Sequence, residues 1–525
     1  MASRRDELNG YTFAKKRLVA AFLQPSPDRT DEGAPNPLRA VLPGLVVAAL
    51  VLAGFGGWGM FRPKAPKGWD TPGAHVILGS KSATLYVVLE TGGKRQLHPV
   101  LNMASARLLV KPDRSDVLKV DESELDNGKL QHGPTLGIPY APDRLPEATD
   151  AAKSKRWAVC EQPGNNGRSV QKATFLFADR DADKVEGPGR LHGGQALYVQ
   201  EAKGSGTSGE SGESGGARYL IDPKGTKYLI DGGSDTELLL RALVGSRQPQ
   251  QVTKDWLATF HDGTPIAFPT LPAGAVAQPA NVKGLGAREN RVGMVLRATT
   301  GDGTQHYVVL PGKVVPVSDF VARLLLFSRQ TAPLQQLNRP TEVDAQSFTP
   351  QAQQLFAEKQ WPQEMTEQVN TATAHGVRGT VCSVLRGVSK TGGTELSTWA
   401  GTDFPQQIAN GGTSAYVTPG TGLFYKQIQP GDAVSGAHFL VTDTGLRYGV
   451  QSNNDSSAKQ SGTGTAGTAQ AKEQQSGQGP QETNRAQILL GYKDIKPVLV
   501  PTNWSQFLPM GPRLDANAAR QPQGS

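Results

Sequence analysis

The sequence predicts a mainly β fold with α-helices (α+β), divided into several domains and attached to a membrane by one helix. Three observations predict it. RYLIDPKGTKYLID at 218–231 consists of two apolar runs around a Pro/Gly turn, which is the pattern of a β-hairpin. Similar segments recur along the chain, and one uncharged apolar run lies near the N-terminus. The length of 525 residues exceeds what one hydrophobic core normally holds.

Composition favours turn-rich β structure and argues against a nucleic-acid partner. The chain has 61 Gly and 37 Pro, and only 6% of its residues are aromatic. Its net charge of +8 is spread thinly, with 7 Lys/Arg against 5 Asp/Glu in residues 1–61 and 48 against 42 in the rest. No Lys/Arg-dense block alternates with aromatic residues, so we expect no nucleic-acid binding.

The run VLPGLVVAALVLAGFGGWGMF at 41–61 predicts a transmembrane helix. It contains 21 residues without a charge, and such a helix would rise about 31 Å. A buried core helix is the alternative, but the run is apolar on every face. A signal peptide fits less well, because forty residues precede the run and no small-residue cleavage pattern follows it. No second run of this length follows, which predicts a single-pass protein.

The cysteines indicate the orientation better than the charges do, since Lys and Arg flank the apolar run on both sides. Both cysteines, Cys160 and Cys382, lie in the large part after the run. A disulfide between them requires an oxidising compartment. We therefore expect a cell-membrane protein with its N-terminus in the cytosol and its large domain outside.

Five pairs of similar segments predict an internal duplication of about 220 residues. The pairs are LYVVL (85–89) with HYVVL (306–310), WAVC ending at Cys160 with GTVC ending at Cys382, LHGGQALYV (191–199) with ANGGTSAYV (409–417), RYLIDPKGTKY (218–228) with HFLVTDTGLRY (438–448), and VTKDWLATF (252–260) with VPTNWSQFL (500–508). The last offset, 248, is larger because a low-complexity stretch near 452–484 is inserted.

Four hairpins, each followed by a short apolar segment, predict four repeat modules around a central β domain. An isolated hairpin is marginally stable in water, so the segment after it is expected to be a helix that packs on it. The predicted division of the chain is: cytosolic segment with an amphipathic helix, 1–40; transmembrane helix, 41–61; linker, 62–84; module 1, 85–150; first half of the central domain, 151–217, with a disordered loop at 202–217; module 2, 218–275; linker, 276–305; module 3, 306–365; second half of the central domain, 366–437; module 4, 438–514, with a disordered insert at 452–484; disordered tail, 515–525.

The duplication also predicts where the cysteines meet. Equivalent positions in two halves related by a pseudo-twofold axis can touch only near that axis. Cys160 and Cys382 are such positions, so their bond would join the halves at the centre. Two buried free thiols are the alternative.

NGYTFAKKRLVAAFL at 9–23, the apolar span and LHPVLNMASARLLV at 97–110 together resemble the EccB family, membrane-anchored core components of the type VII (ESX) secretion machinery of actinobacteria. The resemblance implies four repeat modules around a central β domain with a disulfide. It also implies self-association and partners in a secretion complex: an FtsK/SpoIIIE-type ATPase and a multi-spanning channel subunit. That complex exports small helical WXG-type proteins. Five residues match the family's N-terminal motif and would bind partners or the membrane: Tyr11, Phe13, Lys15, Lys16 and Arg17.

The resemblance also introduces a competing class, because some family members are described as ATPases. The nearest approach to a phosphate-binding loop is RGVSKTGG at 386–393, which has Ser389 where the loop needs glycine. DRDADKVEGPGR at 179–190 begins like a calcium loop but has Lys184 at the turn glycine and Arg190 at the bidentate glutamate. We expect no cofactor, no metal and no catalytic residues. A cell-wall anchor is the remaining alternative.

Overall fold

A computed structural model describes residues 3–23, 38–60, 65–112, 116–164, 169–202, 216–272, 274–301, 303–371, 376–408, 414–429, 432–450 and 485–523. The predicted insert at 452–484 and nearly all of the predicted loop at 202–217 lie outside these residues. The helices are α1 Arg4–Leu23, α2 Leu38–Met60, α3 Met103–Leu109, α4 Glu122–Leu125, α5 Ala148–Ala151, α6 Asp183–Glu186, α7 Thr236–Leu243, α8 Lys254–Leu257, α9 Asp319–Phe327, α10 Arg485–Leu489, α11 Thr502–Ser505 and α12 Ala516–Ala519.

The chain also contains 24 strands in the described part. They are β1 Val76–Gly79, β2 Leu85–Thr91, β3 Lys94–Val100, β4 Val117–Val120, β5 Gln131–His132, β6 Arg156–Pro163, β7 Val170–Phe177, β8 Gln195–Glu201, β9 Arg218–Ile221, β10 Thr226–Leu229, β11 Gln250–Val252, β12 His261–Asp262, β13 Val295–Thr300, β14 Gly303–Leu310, β15 Lys313–Val317, β16 Thr341–Glu342, β17 Glu367–Gln368, β18 Thr380–Val388, β19 Thr394–Gly401, β20 Ala415–Val417, β21 Leu423–Ile428, β22 His438–Val441, β23 Arg447–Val450 and β24 Val498–Pro501.

The predicted apolar run coincides with helical backbone, since α2 covers residues 38–60. Within the described part of the chain, no helix is both long enough and apolar enough to cross a bilayer.

The strands form five sheets, and the mixture of β-sheets with short helices agrees with the predicted α+β class. The central sheet has the order β19-β18-β6-β7-β20, so it takes strands from both halves of the chain. The other four sheets are here called units: unit I, β4-β1-β2-β3-β5; unit II, β11-β8-β9-β10-β12 with β17 beside β8; unit III, β15-β14-β13-β16; and unit IV, β23-β22-β21-β24.

The four units share one topology. In each, three consecutive strands form an antiparallel meander, a helix follows the third strand, and a later strand pairs in parallel with the first. The helices are α3, α7, α9 and α10 in units I to IV. Each predicted hairpin is therefore present, and so is the helix predicted after it.

The predicted modules began one strand too late. The first strands of the meanders, β1, β8, β13 and β21, were placed in linkers or in the central domain. β8 pairs with β9 of unit II, whereas β20 pairs with β7 of the central sheet. The predicted equivalence of 191–199 with 409–417 is thus wrong. A hairpin needs a third strand to bury one face of its sheet, and this third partner precedes the local turn signal.

Two further predictions are wrong for related reasons. The predicted linker 276–305 contains β13 and buries Ala280, Val292 and Met294 in a core with unit III. The predicted disordered tail contains α12, where the Asp515 carboxylate caps the helix and Ala519 is fully buried. Small apolar residues can pack where hydropathy alone gives no signal, because tertiary contacts supply the partner surface.

A segment after each unit's helix returns along the third strand, and in three units it carries a glycine under a ring. An added Cβ at Gly263 would lie 2.5 Å from the Tyr228 ring, and one at Gly511 would lie 2.5 Å from the Tyr448 ring. Gly133 stands in the same relation to the His98 ring, at 2.2 Å. In unit III the position of the ring is taken by Val315, so no ring requires a glycine on the returning segment there. Units I, II and IV therefore share this packing as well as their topology.

The units pack in two pairs. Unit I and unit IV share one hydrophobic core, in which α3 contributes Leu108 and α10 contributes Leu489. Unit II and unit III share another, in which α7 contributes Leu239 and α9 contributes Phe320. The predicted duplication relates unit I to unit III and unit II to unit IV, and it therefore relates one pair to the other.

One arginine from each half joins the paired units, and we call Arg107 and Arg323 the interunit arginines. Arg107 Nη1 donates to the Leu490 carbonyl at 3.2 Å, beside the end of α10. Arg323 Nε donates to the Ala242 carbonyl at 3.3 Å, near the end of α7. The last carbonyls of a helix lack intrahelical partners and carry its negative dipole end, so a guanidinium satisfies both needs. Leu490 and Ala242 are 248 residues apart, the offset found for the tryptophan segments.

Replacing either interunit arginine with Met should loosen only the pair to which it belongs. R107M should speed hydrogen exchange in 485–490 and leave 236–243 unchanged, and R323M should do the reverse. Loss of a charge-assisted hydrogen bond should lower the local opening free energy by about 1.5–3 kcal/mol. R241M, at an exposed position on α7, is the control and should change neither. Faster exchange in both pairs from one substitution would contradict the assignment.

Candidate functional site

The two cysteines meet on the innermost strands of the central sheet. β6 pairs with β18 in antiparallel register, with Cys160 directly opposite Cys382. The two are joined by a disulfide, and their Cα atoms are 4.0 Å apart. Ala158 pairs with Val384 on the same register. The two cysteines are also the residues that the 222-residue offset predicts to be equivalent, so a pseudo-twofold axis between the halves would pass through the disulfide.

The disulfide lies inside a small aromatic core on one face of the central sheet. Both cysteines are fully buried, and their neighbours include Phe175, Phe177 and Trp399. The rings of Phe175 and Phe177 stack with centroids 5.6 Å apart. The bond is thus shielded from solvent reductants while the sheet is intact.

The opposite face of the sheet receives the tryptophans of the two related segments. Trp256 of α8 and Trp504 of α11 are both buried in one core with Trp157 and Val159. The Trp256 indole Nε1 donates to the Val159 carbonyl at 2.9 Å. Units II and IV are therefore held against the same face, one from each half of the chain.

Glu161 follows Cys160 and is a fully buried carboxylate. The Thr253 backbone N–H donates to its Oε2 at 2.8 Å, and the Thr253 hydroxyl donates to its Oε1. Burial raises the pKa of Glu161, although the hydrogen bonds from Thr253 oppose the rise. Perturbed carboxylates are candidates for acid–base chemistry, but this side chain has no exposed surface for a substrate to contact. Its position fixes the start of α8, which carries Trp256.

The halves differ at this point. Ser383 is the residue equivalent to Glu161, and its hydroxyl is buried without a hydrogen-bond partner in the part of the chain that the structure describes. Sequence reasoning missed Glu161. The alternation of Trp157, Val159 and Glu161 along β6 was the available signal, because it places a carboxylate on an apolar face.

A second charge cluster, partly buried, surrounds Glu186 of α6. Its carboxylate accepts from Arg156 Nε at 2.9 Å, from Arg386 Nε at 2.9 Å and from Arg190 Nη1 at 2.8 Å. Burial alone would raise the pKa of Glu186, but the hydrogen bonds and charges of these arginines outweigh it and lower the pKa. Arg156 lies on β6 and Arg386 on β18, so the cluster joins both central strands to the segment over the disulfide.

The segment that resembled a calcium loop has a different role. Asp181 accepts from the Thr418 hydroxyl at 2.8 Å and pairs with Lys184 at 3.1 Å. Asp179–Asp181 and Asp183–Glu186 form a 3₁₀ turn and a short helix. Across the described ranges, no three His, Cys, Asp or Glu residues converge as a metal site would require.

The segment that resembled a phosphate-binding loop is a β-hairpin turn. Ser389 N–H donates to the Gly393 carbonyl at 2.7 Å, and Gly392 N–H donates to the Ser389 carbonyl at 3.0 Å. The turn joins β18 to β19. A phosphate-binding loop leads from a strand into a helix instead.

The N-terminal motif lies on α1, which spans residues 4–23. The side chains of Tyr11, Phe13, Lys15, Lys16 and Arg17 are all exposed. Tyr11 and Phe13 are two residues apart and so project about 200° apart around the helix. Tyr11 instead shares a face with Leu8, Leu18 and Phe22, which are also exposed. The structure does not bring the motif to the disulfide within the residues it describes.

Replacing Glu161 with Gln should remove a pH dependence of the free energy of unfolding without unfolding the chain. Because the folded-state pKa is raised, the native chain holds a proton that the unfolded chain loses above a pH of about 4.3. The free energy of unfolding therefore falls as pH rises from there through the folded-state pKa. E161Q should flatten this fall, since an amide can still accept from the Thr253 N–H and donate to its hydroxyl.

The matched variant is T253V, which leaves the carboxylate with one donor fewer and should lower the free energy of unfolding by about 1–3 kcal/mol. Denaturant titrations from pH 4 to pH 8 measure both variants. An unchanged slope in E161Q would show that another group causes the pH dependence.

Comparison with known proteins agrees with this architecture. A family model described as "Type VII secretion system ESX-1, transport TM domain B" matches residues 1–524. The ESX-3 secretion system ATPase EccB3 of Mycolicibacterium smegmatis is 27% identical over 471 residues, which cover 86% of this chain and 83% of that protein. The ESX-1 secretion system ATPase EccB1 of the same species is 27% identical over 320 residues, and the matched part spans 60% of that protein's length.

Two solved structures share the fold. The EccB3 dimer from the ESX-3 core complex has a TM-score of 0.54 at 23% identity and covers 85% of this chain and 99% of that chain. A chain of an intact ESX-5 inner membrane complex has a TM-score of 0.54 at 19% identity and covers 100% of this chain and 96% of that chain. With the family model matching residues 1–524, these findings show that this chain belongs to the EccB family of type VII (ESX) secretion components.

Proposed function

We propose that this protein is a structural core subunit of a type VII secretion complex in the cell membrane and scaffolds the export of small helical WXG-type proteins. The observation that carries the proposal is the family match from residue 1 to residue 524. Relatives form part of an ESX-5 inner membrane complex and of an EccB3 dimer. By analogy, the partners are an FtsK/SpoIIIE-type ATPase, a multi-spanning channel subunit and further copies of this chain.

The proposed topology puts residues 1–40 in the cytosol, the run 41–61 across the membrane and residues 62–525 outside. The support for this topology is the uncharged sequence of residues 41–61. The structure describes the side chains of this run only as far as residue 56. Several large apolar side chains of α2 are also exposed, among them Leu42, Leu52 and Phe55. The disulfide favours an oxidising compartment for the large domain.

The N-terminal motif is proposed to bind cytosolic partners. Its cations, Lys15, Lys16 and Arg17, are exposed on α1, and each could contribute roughly 1 kcal/mol near an anionic membrane face. Because Tyr11 and Phe13 lie on opposite sides of the helix, one flat surface cannot bind both. A partner that surrounds α1, or two partners that bind opposite sides, satisfies this geometry.

The four units are proposed to be repeats within an internally duplicated domain. Their shared topology supports this interpretation, as do the two interunit arginines and the twofold register at the disulfide. Two equivalent unit pairs around one axis would give partners two related surfaces. Such a scaffold requires that the two halves stay fixed relative to one another. We assign this role to the disulfide, because it joins the halves covalently.

Loss of the disulfide should lower the abundance of the complex more than it disturbs the individual units. C160S or C382S removes the closure of a loop with a sequence separation of 222, for which the chain-entropy model gives about 5 kcal/mol as an upper figure. The hairpins and their helices are local, so they should persist by circular dichroism. Native gels of detergent-solubilised membranes should show less assembled complex, with reduced secretion.

S383A is the matched control for this experiment, because it removes a buried hydroxyl from the same strand and leaves the bond intact. It should assemble as the parent chain does. Full assembly and secretion by C160S would refute the role assigned to the bond.

Hydrolysis of ATP is the competing function, since the names of the relatives include it. The purified full chain should hydrolyse ATP no faster than a matched preparation from cells without it, because 386–393 is a hairpin turn. K390A, at the exposed tip of that turn, should behave as the parent does. Turnover that co-purifies with the chain and disappears in K390A or E161Q would overturn the scaffold proposal.

A further inference from the structure

A groove of about 550 Å³ lies on unit I next to the segment that follows α2. One wall is the segment 65–70, and the others come from the start of β3, where Arg95 lies, and from 124–130, which begins within α4. These three parts of the chain are distant in sequence, so tertiary packing creates the groove. Neither the disulfide nor the N-terminal motif belongs to it.

The segment 65–70 is held in place by a turn and a ring. Trp69 N–H donates to the Pro66 carbonyl at 3.4 Å, and Gly68 has φ +77, which suits the third position of a type II turn. The Trp69 side chain packs against the core that contains Val88 and Leu130. Lys67, at the second position of the turn, is consequently exposed.

The charges of the groove leave two lysines unpaired. Arg95 Nη1 is paired with Asp70 at 3.1 Å, and the Glu124 carboxylate accepts from an asparagine amide at 3.2 Å. Lys67 and Lys129 are exposed. Among the described residues, neither lysine is within ion-pair distance of a carboxylate. The groove therefore presents two free ammonium groups beside a partly buried indole.

The groove must lie near the end of α2. Ala65 is five residues after Met60, and five residues extend at most about 18 Å. In the proposed topology, Lys67 lies on the outer side together with Arg62 and Lys64 of the sequence. Cations there depart from the usual excess on the cytoplasmic side, and an anionic ligand on the outer face would account for the placement. A tryptophan at this depth suits the membrane interface as well.

The equivalent place in unit III lacks this chemistry. Leu130 and Phe348 are corresponding core residues, both buried, and Ser347 precedes Phe348 where Lys129 precedes Leu130. The cation thus occurs in the unit next to the membrane segment and not in its counterpart. Shared fold alone does not account for it.

We propose that this groove binds the phosphate of an anionic phospholipid headgroup in the outer leaflet, with Lys67 and Lys129 as its ligands and Trp69 at the interface. The proposal rests on the proposed topology. It gives the large domain a second attachment to the membrane, beyond α2, and thereby fixes the orientation of unit I above the bilayer.

The test uses the full chain in nanodiscs of phosphatidylcholine, with or without phosphatidylglycerol, and measures hydrogen exchange. Segments 65–70 and 124–130 should exchange roughly 25-fold more slowly with phosphatidylglycerol, because each of the two lysines contributes about fivefold. K67Q and K129Q should each lose about fivefold of this protection, the value for one cation near an anionic surface, and 0.5 M salt should weaken it. K283Q/K313Q, a double variant at exposed lysines near and in unit III, should change nothing here.

The results that would contradict the headgroup site can be told apart. A chain that does not insert into nanodiscs would overturn the topology, whereas an inserted chain with equal exchange in both lipids would overturn only the headgroup site. Equal protection by inorganic phosphate in phosphatidylcholine nanodiscs would assign the site to free phosphate and refute the lipid. Protection retained in K67Q/K129Q would remove both lysines from the site.

Discussion

The antiparallel pairing of β6 with β18 constrains the rest of the molecule. Its register sets Cys160 opposite Cys382, and these are the positions that the proposed duplication makes equivalent. An antiparallel pair of equivalent strands has a local twofold axis between its central residues. Each element attached to one strand then has a counterpart attached to the other. Units II and IV consequently reach the same face of the central sheet, and units I and III complete the two pairs.

Equivalent geometry does not require equivalent chemistry. In unit II, Lys227 Nζ approaches the Phe260 carbonyl at 3.4 Å, and in unit IV, Arg447 Nε donates to the Leu508 carbonyl at 3.0 Å. Arg447 also donates to the Ser505 hydroxyl at 2.9 Å. Unit II relies instead on the buried carboxylate of Glu161. Each half thus fixes its tryptophan-bearing helix by a different polar arrangement, since the backbone path is already set by the sheet.

Local sequence signals predicted the parts of the fold that depend on neighbouring residues. The hairpins were visible from Pro/Gly turns between apolar runs, and the helices from the short apolar segments that follow them. In the structure, the side chains of Asn102 and Ser318 cap two of these helices by accepting the N–H groups of Ser105 and Val321. The first strand of each unit was missed because its pairing depends on which apolar surface it buries, and no local turn signal marks that choice. β8 shows this best, since the segment 202–217 separates it in sequence from β9, with which it pairs.

By itself the sequence determined the α+β class, the four hairpins with their helices, the pairing of Cys160 with Cys382 and the family, because these depend on local pattern or on matching patterns at a fixed offset. Tertiary structure decided which sheet each first strand joined, the ordering of the tail by α12, and the hydrogen-bond partners of Glu161 and Glu186. It also decided that 65–70, Arg95 and Lys129 form one groove. These outcomes depend on distances between residues far apart in the chain, and such distances are fixed only when the apolar faces of the sheets have been buried against one another.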